Sequence, residues 1–210
     1  MTKTTWTPTE LKLIKSLKTP ARIQDYIDGL KYNTDDIVRS ARGVIKSKKA
    51  HCFDGAMFAA SALDFHGQKS SLLALYANGN DDDHVISVFK YKQYFGAIAK
   101  SNYVPLRWRD PVYRSIRELV LSYFEGYFTL DGFRTLRAYS HPFDISKVKN
   151  FDWRFGSEDL DPLGQRIDRA GRVKLLASWM TEKWLKKNLK LADKRSILGA
   201  SVGIDLKGIF

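Results

Sequence analysis

Cysteine occurs once in the 210 residues, at Cys52, which excludes an internal disulfide framework and a zinc site built on several cysteines. No run of about 18 apolar residues is present, so no transmembrane helix and no membrane partner are expected. The N-terminus, Met1 to Trp6, lacks the apolar region of a secretory signal, and a lone free thiol suits a reducing compartment; the reading is cytoplasmic. Acidic residues are in deficit, 23 Asp plus Glu against 35 Lys plus Arg, a net charge of +12. No internal repeat or low-complexity linker divides the chain, so residues 1–210 are read as one domain. What is present, 44% apolar and 28% charged residues, belongs to a folded protein with a core.

The basic residues are spread along the chain and are densest near its end, where Lys183, Lys186, Lys187, Lys190, Lys194 and Arg195 surround Asp193. Such a stretch can neutralise phosphates. Trp179, Leu185, Leu189 and Ala192 recur beside it at near-helical spacing, so the solvated face of an amphipathic helix is the preferred reading. No helix-turn-helix, zinc-finger or RNP signature supports a nucleic-acid partner, which is kept as the alternative and not favoured.

Thr7-Pro8-Thr9-Glu10 is a capping box that predicts a first helix through Leu17, and Thr19-Pro20 predicts a second carrying Ile23, Tyr26, Ile27 and Leu30. Asn33 to Asp36 is read as the cap of a third, holding Ile37, Val38, Ala41, Val44 and Ile45. His51 to Leu63 is small and apolar on nearly every face, which places its helix in the middle of the domain, ended by His66-Gly67. Strands are expected at Ser71–Ala77, Val85–Tyr91 and Tyr94–Lys100, the last two forming a hairpin about Lys92-Gln93. Asp110-Pro111 is read as the start of a helix through Phe128, Tyr139 to Asp168 as an irregular surface wrap, and Val173–Leu191 as a final helix.

Cys52 stands at the predicted start of the buried helix, where unpaired N–H groups and the helix dipole favour a thiolate, with Lys48 and Lys49 close by. His84 follows Asp81-Asp82-Asp83 at the start of a strand, positioned to serve as a base. The Asp triplet lacks the spacing and later Glu of a calcium loop, so no metal is expected. A turn closing at Tyr91-Lys92 sets His84 opposite Ala99 with Ser101 diagonal; a turn one residue longer brings Asn102 to the diagonal position. Either Ser101 or Asn102 is therefore expected to orient the imidazole. His51, beside Cys52, is read either as touching the site or as a capping or surface residue, His66 and His141 as turn residues, and Tyr123, Phe124, Tyr127 and Phe128 as core. Arg107, Arg109, Arg114 and Arg117 are expected to pair with Asp110, Glu118 and other acids rather than to form an anion-receiving rim.

The order Cys at a helix start, His opening a strand and a polar residue on the next strand resembles the transglutaminase-like superfamily of papain-like cysteine enzymes. The resemblance covers residues 36–128 and is carried by HCFDGAMFAA, DDDHVISVF, FGAIAKSN and RDPVYRSIRELVLSYFEGYF, which mark a bacterial group within it. It implies an α+β fold with the Cys-bearing central helix on a small antiparallel sheet; outside it, residues 1–35 are read as a helical N-terminal extension and 129–210 as a C-terminal wrap with a basic helix. It implies Cys52 as nucleophile and His84 as base, acting on a protein, peptide or small amide without a cofactor. The superfamily's Asp is replaced near Ala99, with no carboxylate from Gly96 to Leu106. The expected activity is acyl transfer or hydrolysis at an amide; the alternative is a non-catalytic binding module on the same fold.

Overall fold

The computed structural model describes residues 5–129, 133–180 and Leu185. Thr7 accepts the Glu10 N–H while Glu10 reaches back to the Thr7 N–H, and this capping box opens α1, Pro8–Ser16; Thr19 caps α2, Pro20–Asp28, by accepting the Arg22 N–H alone. A two-residue strand β1, Lys31–Tyr32, pairs in parallel with β2, Lys49–Ala50, across α3, Ala41–Ser47. The central helix α4 runs Cys52–Phe65, with eleven consecutive residues from Phe53 to Leu63 buried. Then come β3, Ser70–Ala77, β4, His84–Tyr91, β5, Tyr94–Ile98, and β6, Arg109–Tyr113. The chain continues through α5, Ile116–Phe124, β7, Leu136–Ser140, α6, Pro162–Arg169, and β8, Arg172–Lys174.

Six strands form one antiparallel sheet in the order β6-β5-β4-β3-β7-β8. Because side chains alternate across a strand, the sheet presents two apolar faces. Leu72, Ala74, Tyr76 and Phe89 meet α4, with α1 to α3 and α6 packed around that helix. Leu73, Leu75, Ile86, Val88 and Ala97 meet α5 through Leu119, Val120 and Tyr123. The architecture is thus mixed α+β in three layers, and none of its described helices is long and apolar enough to cross a membrane.

Several expectations are corrected. The third helix starts at Ala41 under a Ser40 cap, not at residue 36, because the polar groups of the preceding segment serve α4 instead: Asn33 and the Arg39 N–H both bind the buried Asp54 carboxylate. Asp110-Pro111 lies in a strand, since β6 is a sheet edge that tolerates a residue without an N–H, and α5 begins five residues later under Ser115. The segment 139–168 is not structureless, for it holds the end of β7 and most of α6. Val173 lies in β8, so the expected C-terminal helix does not start there, and its basic run from Lys183 to Arg195 falls outside the described residues. The two expected N-terminal helices are present and pack on the core, with Ile14, Ile23 and Ile27 sealed against Phe58 and Ala62 of α4.

Candidate active site

Cys52 is the first residue of α4, and the turn is built to hold it there. His51 Nδ1 accepts the Phe53 and Asp54 N–H groups, while the Asp54 carboxylate accepts the His51 N–H at 3.0 Å, so residues 51 and 54 cap the helix reciprocally. His51 is thereby a capping residue. Asp54 is fully buried, and its other partners are Asn33 Nδ2 at 2.9 Å and the Arg39 N–H at 2.6 Å. Three residues, Asn33, Arg39 and His51, thus converge on one carboxylate two residues beyond the thiol.

The opposite wall is the start of β4. The hairpin closes at Lys92-Gln93, with Tyr91 opposite Tyr94 and Lys92 at positive φ, so its register lies one residue beyond the longer of the two turns considered from sequence. The pairing stops at Ser87↔Ile98. Beyond it, Ala99 is taken by the Gln24 side chain through two hydrogen bonds, and Lys100 dives to the end of α2, donating to the Ile27, Asp28 and Leu30 carbonyls. The β5 strand therefore leaves the sheet where α4 begins. The Val85 N–H lies against the Cys52 sulfur, as do the N–H groups of Phe53 and Cys52 itself.

His84 shares its face of the sheet with its cross-strand neighbour Leu75, which packs toward α5. Its ring is buried, and Nε2 lies 3.0 Å from the Leu106 carbonyl, at the end of a short 3-10 turn, Val104–Leu106. A carbonyl only accepts, so Nε2 carries the proton and Nδ1 holds the lone pair of the neutral ring. The orienting group is thus a backbone oxygen, and neither Ser101 nor Asn102 takes that bond. Ser101 Oγ instead accepts the Tyr103 N–H, and its carbonyl accepts from Arg107.

Cys52, His84, Ser101 and Asn102 nonetheless line one cavity of about 270 Å³. Its mouth carries Asp81, Asp82 and Asp83, and its aromatic wall comprises Tyr32, Tyr103, Tyr127 and Phe128. The acidic loop is pinned: Tyr127 Oη donates to the Asp82 carbonyl, Thr135 donates to Asp81, and Asp83 accepts the Ala77 N–H at 2.8 Å. These bonds explain a buried Tyr127 as core and wall together. Among the described residues no group of three or more His, Cys, Asp or Glu side chains is placed to hold a metal ion.

The electrostatics favour a neutral pair. Burial pushes the Cys52 thiol up, against the three N–H groups that favour its thiolate, and Asp54 adds to the rise. Burial, with the Arg109 charge, pushes His84 down to about 4 despite the Leu106 carbonyl. Tyr32 is raised to about 12, by burial first and then by Cys52 and the nearby carboxylates. The resting state at neutral pH is thiol plus imidazole, not the thiolate expected from the helix start alone.

Of the arginines of residues 107–117, Arg107 meets an acid as expected, and the others find backbone or hydroxyl partners or leave the acid to a backbone N–H. Arg107 faces Asp28 at 3.4 Å, Arg117 donates to the Leu175 carbonyl, and Glu118 accepts the Arg114 backbone N–H. Sequence reasoning singled out Cys52, His84, Ser101 and Asn102 of the cavity lining and missed Tyr32, Tyr103, the Leu106 carbonyl and the Val85 N–H, the last two being backbone groups that side-chain identity does not announce. No protein-family model and no curated protein matches the chain.

Proposed function

We propose that the protein is a cysteine-dependent acyl-transfer enzyme of transglutaminase-like type, acting on an amide or peptide bond through Cys52 and His84. The observation that carries this reading is the shared cavity, lined both by a thiol at a helix start with N–H groups at its sulfur and by an imidazole whose Nε2 is bound and whose Nδ1 holds the lone pair. Such a pair reacts from its neutral form. His84 Nδ1 takes the thiol proton as the sulfur attacks the carbonyl carbon, and the carbonyl electrons become an oxyanion that the Cys52 N–H is placed to receive. The C–N bond then breaks, the imidazolium returns the proton to the leaving amine, and a thioester remains on Cys52. Water or an amine, deprotonated by the same Nδ1, attacks the thioester and releases the thiol. No metal or organic cofactor enters these steps, and the reduced thiol suits a cytoplasmic enzyme.

The Leu106 carbonyl performs part of the task of the superfamily's carboxylate. It fixes the tautomer, but it brings no negative charge to stabilise the imidazolium, so a slow enzyme is expected. The test is acylation by p-nitrophenyl acetate followed by absorbance and intact mass. The expected result is a burst of one p-nitrophenolate per chain with acetyl on Cys52, lost in Cys52→Ala and slowed about 10²- to 10⁴-fold in His84→Ala. No burst above a denatured control overturns the reading.

A further inference from the structure

The Leu106 carbonyl can orient His84 only if the turn that carries it is held still, and the structure shows what holds it. Four successive carbonyls each meet a different demand. Pro105 O accepts from Arg109 Nη2 at 2.6 Å, Leu106 O meets His84 at 3.0 Å, Arg107 O accepts from Tyr123 Oη at 2.9 Å, and Trp108 O accepts from Arg109 Nη1 at 2.8 Å. Arg109 is itself fixed on α5: Nε donates to Ser122 Oγ at 2.8 Å, Nη2 reaches the Ser122 carbonyl at 3.1 Å, and the guanidinium stacks 3.8 Å from the Tyr123 ring centroid. The backbone of Arg109 pairs with Ala97 in β5, so the clamp joins the sheet, the turn and α5. We infer that Arg109 is a positioning residue for the Cys52–His84 pair, its planar guanidinium gripping the carbonyls on both sides of Leu106 so that the Leu106 oxygen alone points at the imidazole.

This inference rests on the acyl-transfer reading for its purpose but not for its test. A guanidinium suits the task because its fork of donors and flat face serve two carbonyls, a hydroxyl and a ring at once, which an ammonium does not. Its charge also faces His84 and favours the neutral ring. The other titratable groups of that cavity are Cys52 from α4, the three carboxylates ahead of β4, Tyr32, Tyr103 and Tyr127.

The decisive readout is the state of His84 itself, followed by ¹⁵N and ¹³C NMR of histidine-labelled full-length protein. In the wild type, His84 is expected as the Nε2–H tautomer, titrating near pH 4. Arg109→Lys keeps the charge and loses the fork; Arg109→Gln loses both. Both variants are expected to give a mixed tautomer. In Arg109→Lys, which keeps the charge and loosens the Leu106 carbonyl that favours the imidazolium, the midpoint is expected to move down. In Arg109→Gln, which also removes the charge that disfavours the imidazolium, the midpoint is expected to lie above that of Arg109→Lys. Ser122→Ala, a milder change that removes the Nε acceptor at a half-buried site and keeps the charge, moves both observables in the direction of Arg109→Lys, by less. An unchanged tautomer and midpoint in Ser122→Ala and in whichever Arg109 variant folds, judged by near-ultraviolet circular dichroism, overturns the inference. Loss of the p-nitrophenolate burst in the wild type would instead sink the acyl-transfer reading and leave the Arg109 clamp standing.

Discussion

Burial and a carbonyl partner act on His84 in opposite directions, and burial prevails because the ring is 5% exposed and its one hydrogen-bond acceptor is uncharged. A histidine titrates near 6.5 when unfolded and His84 titrates near 4 here, so between those values the unfolded chain binds the extra proton. The associated stability is complete above pH 6.5 and is lost as the pH falls through 4, by about 3 kcal/mol in all. Urea midpoints at pH 7 and pH 5 should therefore fall more steeply for wild type than for His84→Gln; equal slopes would show that the ring is not held neutral. Sequence alone picked out Cys52 and His84 because their chemistry is written in their side chains. It offered Ser101 and Asn102 as orienting groups for the same reason. The true partner is a carbonyl, whose place depends on where β5 leaves the sheet, and that depends on Ala99 and Lys100 meeting Gln24 and the end of α2 some 70 residues earlier.

For α4 the first turn is the sensitive end. Removing the Asp54 carboxylate would strand the Asn33 amide and the His51 and Arg39 N–H groups around a buried gap, so Asp54→Ala should cost about 2–4 kcal/mol, measured by urea denaturation, and should raise Cys52 accessibility to a bulky thiol reagent. Gly55 tells the same story from the other side. A Cβ there would lie 2.6 Å from the Lys100 Cβ, within a contact that real side chains do not make. Gly55→Ala is expected to push Lys100 off α2 and to lower stability by about 1–3 kcal/mol; a neutral effect would show that helix and strand end are less closely packed than this. The helix itself was legible from its all-round apolar composition, and the hairpin from its alternation about Lys92-Gln93. The segment 109–113 was not, because Asp-Pro is as much at home on an edge strand as at a helix start, and only pairing with β5 decides between them.

At the scale of the whole molecule, the N-terminal helices belong to the site. The Lys100 ammonium caps the end of α2 with three carbonyls, and burial holds its pKa below the usual range, so the strand end beside Cys52 and the N-terminal helices form one unit. Lys100→Met would leave those carbonyls without a donor and is expected to destabilise the whole fold by about 2 kcal/mol or more; unfolding confined to residues 8–28, seen by hydrogen exchange, would argue that they are a separable extension. The proposed acyl transfer depends on a neutral Cys52–His84 pair acting together, and one experiment reads that pair directly: the pH profile of iodoacetamide alkylation at Cys52, in the wild type and in His84→Ala. General-base assistance predicts a wild-type rate that is nearly flat between about pH 5 and pH 8, with His84→Ala falling about tenfold per pH unit across the same range as an unassisted thiol does. Two superimposable profiles that both follow the ionisation of a buried thiol would contradict it.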